Sequence, residues 1–208
     1  MTFIQISPFH ISTKRIRNGN KQTVYYPQVV LIGNKAWEYK INQMIRDQVR
    51  GMIAVQSGDM PSLVEEMFGF YEIKNNQRNI LSLTLSNYCY HLGAAHGMTY
   101  IKSLTFDFVN KKLCTLQDLF IPGSNYVEKI SELIRVQIKQ RNIPILNEFT
   151  SINPNQFFYI ADKTLVIYFQ LYEITPYVVG LPMFPISVFD LQDIIDENSP
   201  LARMAVNS

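Results

Sequence analysis

The stretch from Ser82 to Phe108, SLTLSNYCYHLGAAHGMTYIKSLTFDF, leaves the chain little choice of fold. Two runs of alternating polarity flank Gly93-Ala94-Ala95-His96-Gly97, and alternation at a period of two belongs to strands. Before the glycines, Leu81, Leu83, Leu85 and Cys89 share one face, and Ser82, Thr84, Ser86, Tyr88 and Tyr90 share the other. After them, Met98, Tyr100, Leu104, Phe106 and Phe108 alternate against Thr99, Ser103, Thr105 and Asp107. The pattern predicts a long antiparallel hairpin with an apolar face and a polar face that carries tyrosines.

The flanking segments supply more strands and two helices. Phe3 to Ser12 reads as a strand with Pro8 at an edge or bulge. Asn18-Gly19-Asn20 is a turn among Lys14, Arg15, Arg17 and Lys21, four cations that read as a solvated hairpin tip, and Thr23 to Ile32 resumes strand character. From Asn34, a candidate N-cap, Trp37, Ile41, Met44, Ile45, Met52 and Ile53 recur at helical spacing. Phe68 to Lys74 reads as a strand and Asn75-Asn76-Gln77 as a turn. Asn125 and Glu128 have the spacing of a capping box ahead of a second stripe, Ile130, Leu133, Ile134 and Ile138. Later, Leu165, Ile167, Phe169 and Leu171 read as the inward side of a strand, with Thr164, Val166, Tyr168, Gln170 and Tyr172 outward. Phe184 to Val188 is a short strand, and Asp190 to Glu197 a helical turn or two. The expected fold is α+β in one domain over residues 1–208, an antiparallel sheet with both amphipathic helices packed on one face.

Composition excludes several functions. Among 208 residues the formal net charge is +2, too weak a field to hold a polyanion, so nucleic acid is not the expected partner. No apolar run approaches the ~18 residues of a membrane span. The N-terminal MTFIQISPFHISTKRIRNG lacks the layout of a signal peptide, so the chain as written is expected to be unexported. Cys89 and Cys114, the only cysteines, match no metal or redox spacing and are expected as buried thiols, with a disulfide open only if their strands are neighbours.

Chemistry has few anchors. No GxSxG elbow, catalytic cysteine signature or phosphate-cradling glycine pattern is present, so no catalytic residue and no cofactor is expected. His91, His96 and Glu173 have no fixed ligand spacing, and a metal is not expected. The polar strand faces offer more. If they share one surface, Tyr88, Tyr90, Tyr168 and Tyr172 lie together with Thr99, Ser103 and Gln170. Rigid rings mixed with hydroxyls and an amide stack on sugars or anchor a protein. The competing reading is cross-strand pairing, which stabilises a sheet by up to about 1 kcal/mol per pair.

SNYCYHLGAAHGMTYIKSLTFDF, LQDLFIPGSNY, VIYFQLYEITPYVVGLPMFPI and YYPQVVLIGNKAWEYKINQMI together resemble a domain of unknown function. It is found in the extracytoplasmic part of RsiV-type anti-sigma factors and beside the catalytic domain of PdaC-type peptidoglycan deacetylases. The similarity runs from about residue 25 to 188, with Ala94 where the family usually has a second glycine. The resemblance implies an α+β binding module of the Gram-positive, extracytoplasmic cell envelope, which in RsiV-type members binds lysozyme. The expected function is non-catalytic binding of a protein such as lysozyme or of a cell-wall glycan. Tyr88, Tyr90, His96, Tyr168, Tyr172, Glu173 and Tyr177 are the binding candidates, and Gly93, Gly97 and Pro176 the structural hinge positions. The rival is an enzyme acting on cell-wall carbohydrate, with Glu173 as acid or base and His96 assisting.

Overall fold

The computed structural model describes residues 9–31 and 33–205 and divides the chain into two compact units, the first ending at Lys111 and the second beginning at Lys112. Of the strand expected from Phe3, the part from Phe3 to Pro8 lies outside the described residues.

In the first unit the strands β1 (His10–Asn18), β2 (Gln22–Val30), β3 (Val64–Gln77), β4 (Ile80–His91) and β5 (Met98–Asp107) are neighbours in sequence order. Every pair is antiparallel except β2 and β3, which run parallel over Gln22–Val24 and Met67–Gly69 only. The sheet is therefore mixed where a wholly antiparallel one was expected. Between β2 and β3 the chain crosses over as the helix α1 (Lys35–Gly58), and a crossover returns the next strand in the same direction. Gly69 permits this contact, because a Cβ there would stand 2.5 Å from Val24 Cγ1.

The helix starts where its sequence signals place it, with the Asn34 side chain accepting the Trp37 N–H at 3.1 Å. Its stripe of Trp37, Ile41, Ile45, Val49 and Met52 is buried with Leu81, Leu83, Leu85, Leu104 and Phe106. Asn42 interrupts that stripe for a reason. Val29 lies beyond the short β2–β3 ladder, and Asn42 accepts its N–H and donates to its carbonyl, both at 2.8 Å. A buried strand edge is thereby satisfied by one carboxamide.

The second unit holds a three-stranded antiparallel sheet, β7 (Phe158–Ala161), β8 (Thr164–Tyr168) and β9 (Met183–Ser187), after the two-residue strand β6 (Lys112–Leu113). Helix α2 (Tyr126–Gln140) lies along β9, where Gln137 donates to the Pro185 carbonyl at 2.8 Å and Arg141 to the Met183 carbonyl at 2.8 Å. A short helix α3 (Pro200–Ala205) closes the described chain.

The α+β class is as expected, but the two helices do not share one sheet. α1 covers the sheet of the first unit and α2 packs on the three-stranded one. Local expectations shift too. Asn75-Asn76-Gln77 belongs to β3, and the turn is Arg78-Asn79, both at positive φ. Asn125 sits at the N-cap of α2 without a side-chain cap bond, and the Glu128 carboxylate pairs with Arg135. Val188–Leu191, not Asp190 to Glu197, forms the late helical turn. Cys89 and Cys114 form no disulfide and are buried.

Candidate functional site

Strand register decides which side chains share a face, because directly opposed residues of an antiparallel pair project to the same side. Phe68 pairs with Tyr88 and Glu66 with Tyr90, and Tyr88 in turn pairs with Thr99. The face turned away from α1 thus carries Glu66, Phe68, Phe70 and Glu72 on β3, Ser86, Tyr88 and Tyr90 on β4, and Thr99 and Ser103 on β5. Tyr25 of β2 joins them, its ring 6.2 Å from that of Phe68, which lies 6.1 Å from Phe70. Phe68 and Phe70 are 47% and 41% exposed, large apolar rings left in water between two carboxylates. Toward the Arg78-Asn79 end the same face is buried, and there Ser82 and Thr105 bond each other through their hydroxyls at 2.8 Å.

The hinge end is propped from beneath. Tyr88 lies over Gly97, where a Cβ would stand 2.2 Å from the ring. Tyr90 donates its hydroxyl to the Ala94 carbonyl at 3.1 Å, and Gly93 takes φ +82°, a conformation that costs glycine nothing. The half-buried Tyr88 and Tyr90 therefore brace the loop, and Tyr88 stands opposite Phe68 in the strand register. His96 is exposed at the loop tip, its Nδ1 3.1 Å from the Gly97 carbonyl.

Behind the loop, His91 is buried with Nδ1 2.8 Å from the Ser62 carbonyl and Nε2 2.7 Å from the Gln56 carbonyl. Two carbonyl partners require two N–H donors, which only the imidazolium has. These bonds, the Ser62 one first, hold its pKa above the ordinary 6.5 against the opposing effect of burial. Both ring nitrogens are thus spent on the backbone. Gln56 completes the junction, donating to the carbonyls of Asn87 and Met98, both at 3.0 Å. Nearby, burial pushes Tyr100 up to about 12, helped by its bond to the Asp59 carboxylate.

The remaining candidates fall in the second unit. Tyr168 corrects the expectation of an outward ring: it is 0% exposed, stacked on Phe157 with centroids 5.7 Å apart. β8 is the middle strand of its sheet and is buried on both faces, so alternation there does not mark solvent. The strand also stops at Tyr168, so Phe169, Gln170, Leu171 and Tyr172 are not strand positions. Tyr172 takes φ +63°, uncommon for any residue but glycine, and its exposed ring lies 5.6 Å from that of Tyr177. Pro176 precedes a turn of 3-10 helix, Tyr177–Val179. Glu173 accepts the Gln170 N–H at 2.7 Å and the Gln156 amide at 3.2 Å, closing a tight turn at the edge of a cavity of about 410 Å³.

Sequence reasoning missed Tyr25, Phe68 and Phe70. The signal was present, since Glu66 and Glu72 share the parity of the two phenylalanines and mark that side of β3 as wet. Among the described residues no helix is long and apolar enough to cross a membrane.

Comparison with known proteins agrees with these motifs. The model of a family described as protein of unknown function (DUF3298) matches residues 117–188, and that of deacetylase PdaC matches residues 19–99. The peptidoglycan-N-acetylmuramic acid deacetylase PdaC of Bacillus subtilis is 25% identical over 134 residues, covering 61% of this chain and 28% of that protein. The anti-sigma-V factor RsiV of the same organism is 26% identical over 206 residues, covering 89% of this chain and 67% of its own. The chain thus spans little more than a quarter of the deacetylase. DUF3298 proteins of known structure from Bacteroides fragilis and Pseudomonas aeruginosa superpose with TM-scores of 0.70 and 0.68 at 14% and 13% identity. The superpositions cover 95% and 97% of this chain and 97% and 98% of theirs. The chain is related to the DUF3298, PdaC and RsiV proteins.

Proposed function

We propose, from this kinship, that the chain is a binding module of the cell envelope whose ligand is a protein of the lysozyme kind, docked on the Tyr25–Phe68–Phe70 row. One observation carries the reading: two exposed phenylalanines and the half-buried Tyr25 form a row on a sheet face, flanked by Glu66 and Glu72. Exposed rings on a sheet supply contact area at little entropic cost, and Glu66 adds an acidic group at the rim that favours a cationic partner, Glu72 being paired with Lys74 at 3.0 Å. The row is a surface and not a pocket, which suits a protein better than a small molecule. Tyr88, Tyr90 and His96 border it, and residues 1–208 serve as one functional module in this reading. A cell-wall glycan is the second reading, favoured by ring faces on which sugars stack. Catalysis by Glu173 has less support, because its carboxylate is already engaged by the Gln170 N–H and the Gln156 amide.

Isothermal calorimetry with lysozyme and with soluble peptidoglycan fragments tests this. Saturable heat with lysozyme, abolished in a folded Phe68→Ser/Phe70→Ser variant, is expected. Silence with both ligands at high concentration defeats the reading, and heat with the fragments alone transfers it to the glycan.

A further inference from the structure

The cavity of the second unit shares no lining residue with that aromatic row, and its lining has a definite chemistry. Its volume of about 410 Å³ falls within the usual range for organic ligands, about 300–1,000 Å³. Glu148 and Glu173 line it with Asn147, Asn153, Gln156, Thr150 and Ser151, and no lining residue carries a positive charge. Phe149 and Phe169 supply its apolar part, their rings packed edge to face at 5.8 Å.

The walls are set before any ligand arrives. The segment between α2 and β7 has no regular structure, yet it is tied to its surroundings at several points. Ile152 donates to the Ser131 hydroxyl at 3.0 Å, Tyr126 donates to the Pro154 carbonyl at 3.0 Å, and Leu146 donates to the Ile174 carbonyl at 2.9 Å. A connection this long without secondary structure inside a compact unit is uncommon and is often functional. Glu173 is fixed in turn. The Gln156 amide that holds it is itself buried and also donates to the Tyr168 carbonyl at 3.0 Å. Each carboxylate oxygen accepts more than one hydrogen bond, so Glu173 keeps acceptor capacity beyond these two donors.

We propose that this cavity receives the side chain of an arginine presented by a polypeptide partner, with Glu173 and Glu148 as its counter-charges. The lining itself brings two carboxylates and no cation, and the neighbouring Arg135 guanidinium is engaged by the Thr150 carbonyl and Glu128, so phosphate and carboxylate ligands are disfavoured. The pocket rewards a group that only donates, and the planar guanidinium offers five donors to the carboxylates, amide oxygens and hydroxyls around it. The two phenylalanines give the aliphatic stem an apolar wall.

The test is a titration of the whole ¹⁵N-labelled chain with blocked arginine (N-acetyl-arginine amide) and with blocked citrulline, its neutral isostere. Arginine is expected to shift the amides of Ile152, Gln170 and Ile174 saturably, and citrulline to bind about tenfold more weakly. Glu148→Gln, which leaves the Glu173 turn intact, and Glu173→Gln, whose amide oxygen still accepts the Gln170 N–H, are each expected to weaken arginine severalfold. Added salt acts in the same direction. Equal binding of citrulline, unchanged affinity in both variants, or no saturable shift overturns the proposal. None of these outcomes depends on a ligand at the aromatic row, so the two proposals fail separately.

Discussion

Replacing Gly97 with alanine probes whether Tyr88 braces the hinge. The new Cβ would stand 2.2 Å from Cε2, 2.3 Å from Cζ and 2.4 Å from the hydroxyl oxygen of Tyr88. Carbon atoms rest about 3.5–4.0 Å apart, so the ring must retreat by more than about 1 Å. Overpacking of this kind costs about 1–3 kcal/mol. Gly97 is not among the positive-φ glycines, so alanine meets no backbone strain there. With Tyr88 already cut back to alanine, Gly97→Ala should be neutral or should stabilise by up to about 1 kcal/mol through the unfolded chain. The sign of the Gly97→Ala effect is thus expected to change, or its cost to vanish, between the two backgrounds. Urea unfolding followed by Trp37, the only tryptophan and a buried residue of the first unit, reads it directly. Costs that add to within about 0.5 kcal/mol would refute the bracing contact.

The doubly bonded His91 predicts a pH dependence with a definite sign. A pKa raised in the folded state means stabilisation that is complete below the unfolded value near 6.5 and is lost as pH rises through the folded value. Unfolding experiments across that window should show stability falling with pH, and falling less in His91→Gln. A His91 resonance that titrates below 6.5 would contradict the geometry. The two helix starts make a paired prediction: Asn34→Ala, which removes a cap bond, should cost about 1 kcal/mol, and Asn125→Ala, which removes none, distinctly less. Equal costs, read from urea curves, would show that the caps were misassigned.

Much of the first unit was legible in the sequence because its signals are local and agree with one another. Asn34 followed by a 3.6-residue stripe placed α1, and alternation across Gly93 to Gly97 placed β4, β5 and the division of their faces. Legibility failed where tertiary neighbours decide. The parallel pairing of β2 with β3 depends on a three-residue contact over Gly69, which no periodicity announces. β8 alternates Tyr168 with Leu165 and Ile167 as a half-exposed strand does, yet it is flanked by β7 and β9 and buried on both sides. β7 is four residues long, too short for its own pattern to register. In the candidate site, the face that Tyr88 and Tyr90 share is legible from the period-two alternation of β4. Phe68 and Phe70 are harder to place, because apolar rings by themselves suggest a buried side, and only their shared parity with Glu66 and Glu72 marks that side of β3 as wet.

If the aromatic row of the first sheet is where a partner docks, amide and aromatic NMR shifts of the labelled chain will show it on addition of unlabelled lysozyme. Changes should centre on Tyr25, Phe68, Phe70, Tyr88 and Tyr90 and spare the solvent side of α1. Changes confined to α1, or an unchanged spectrum at saturating lysozyme, would contradict it.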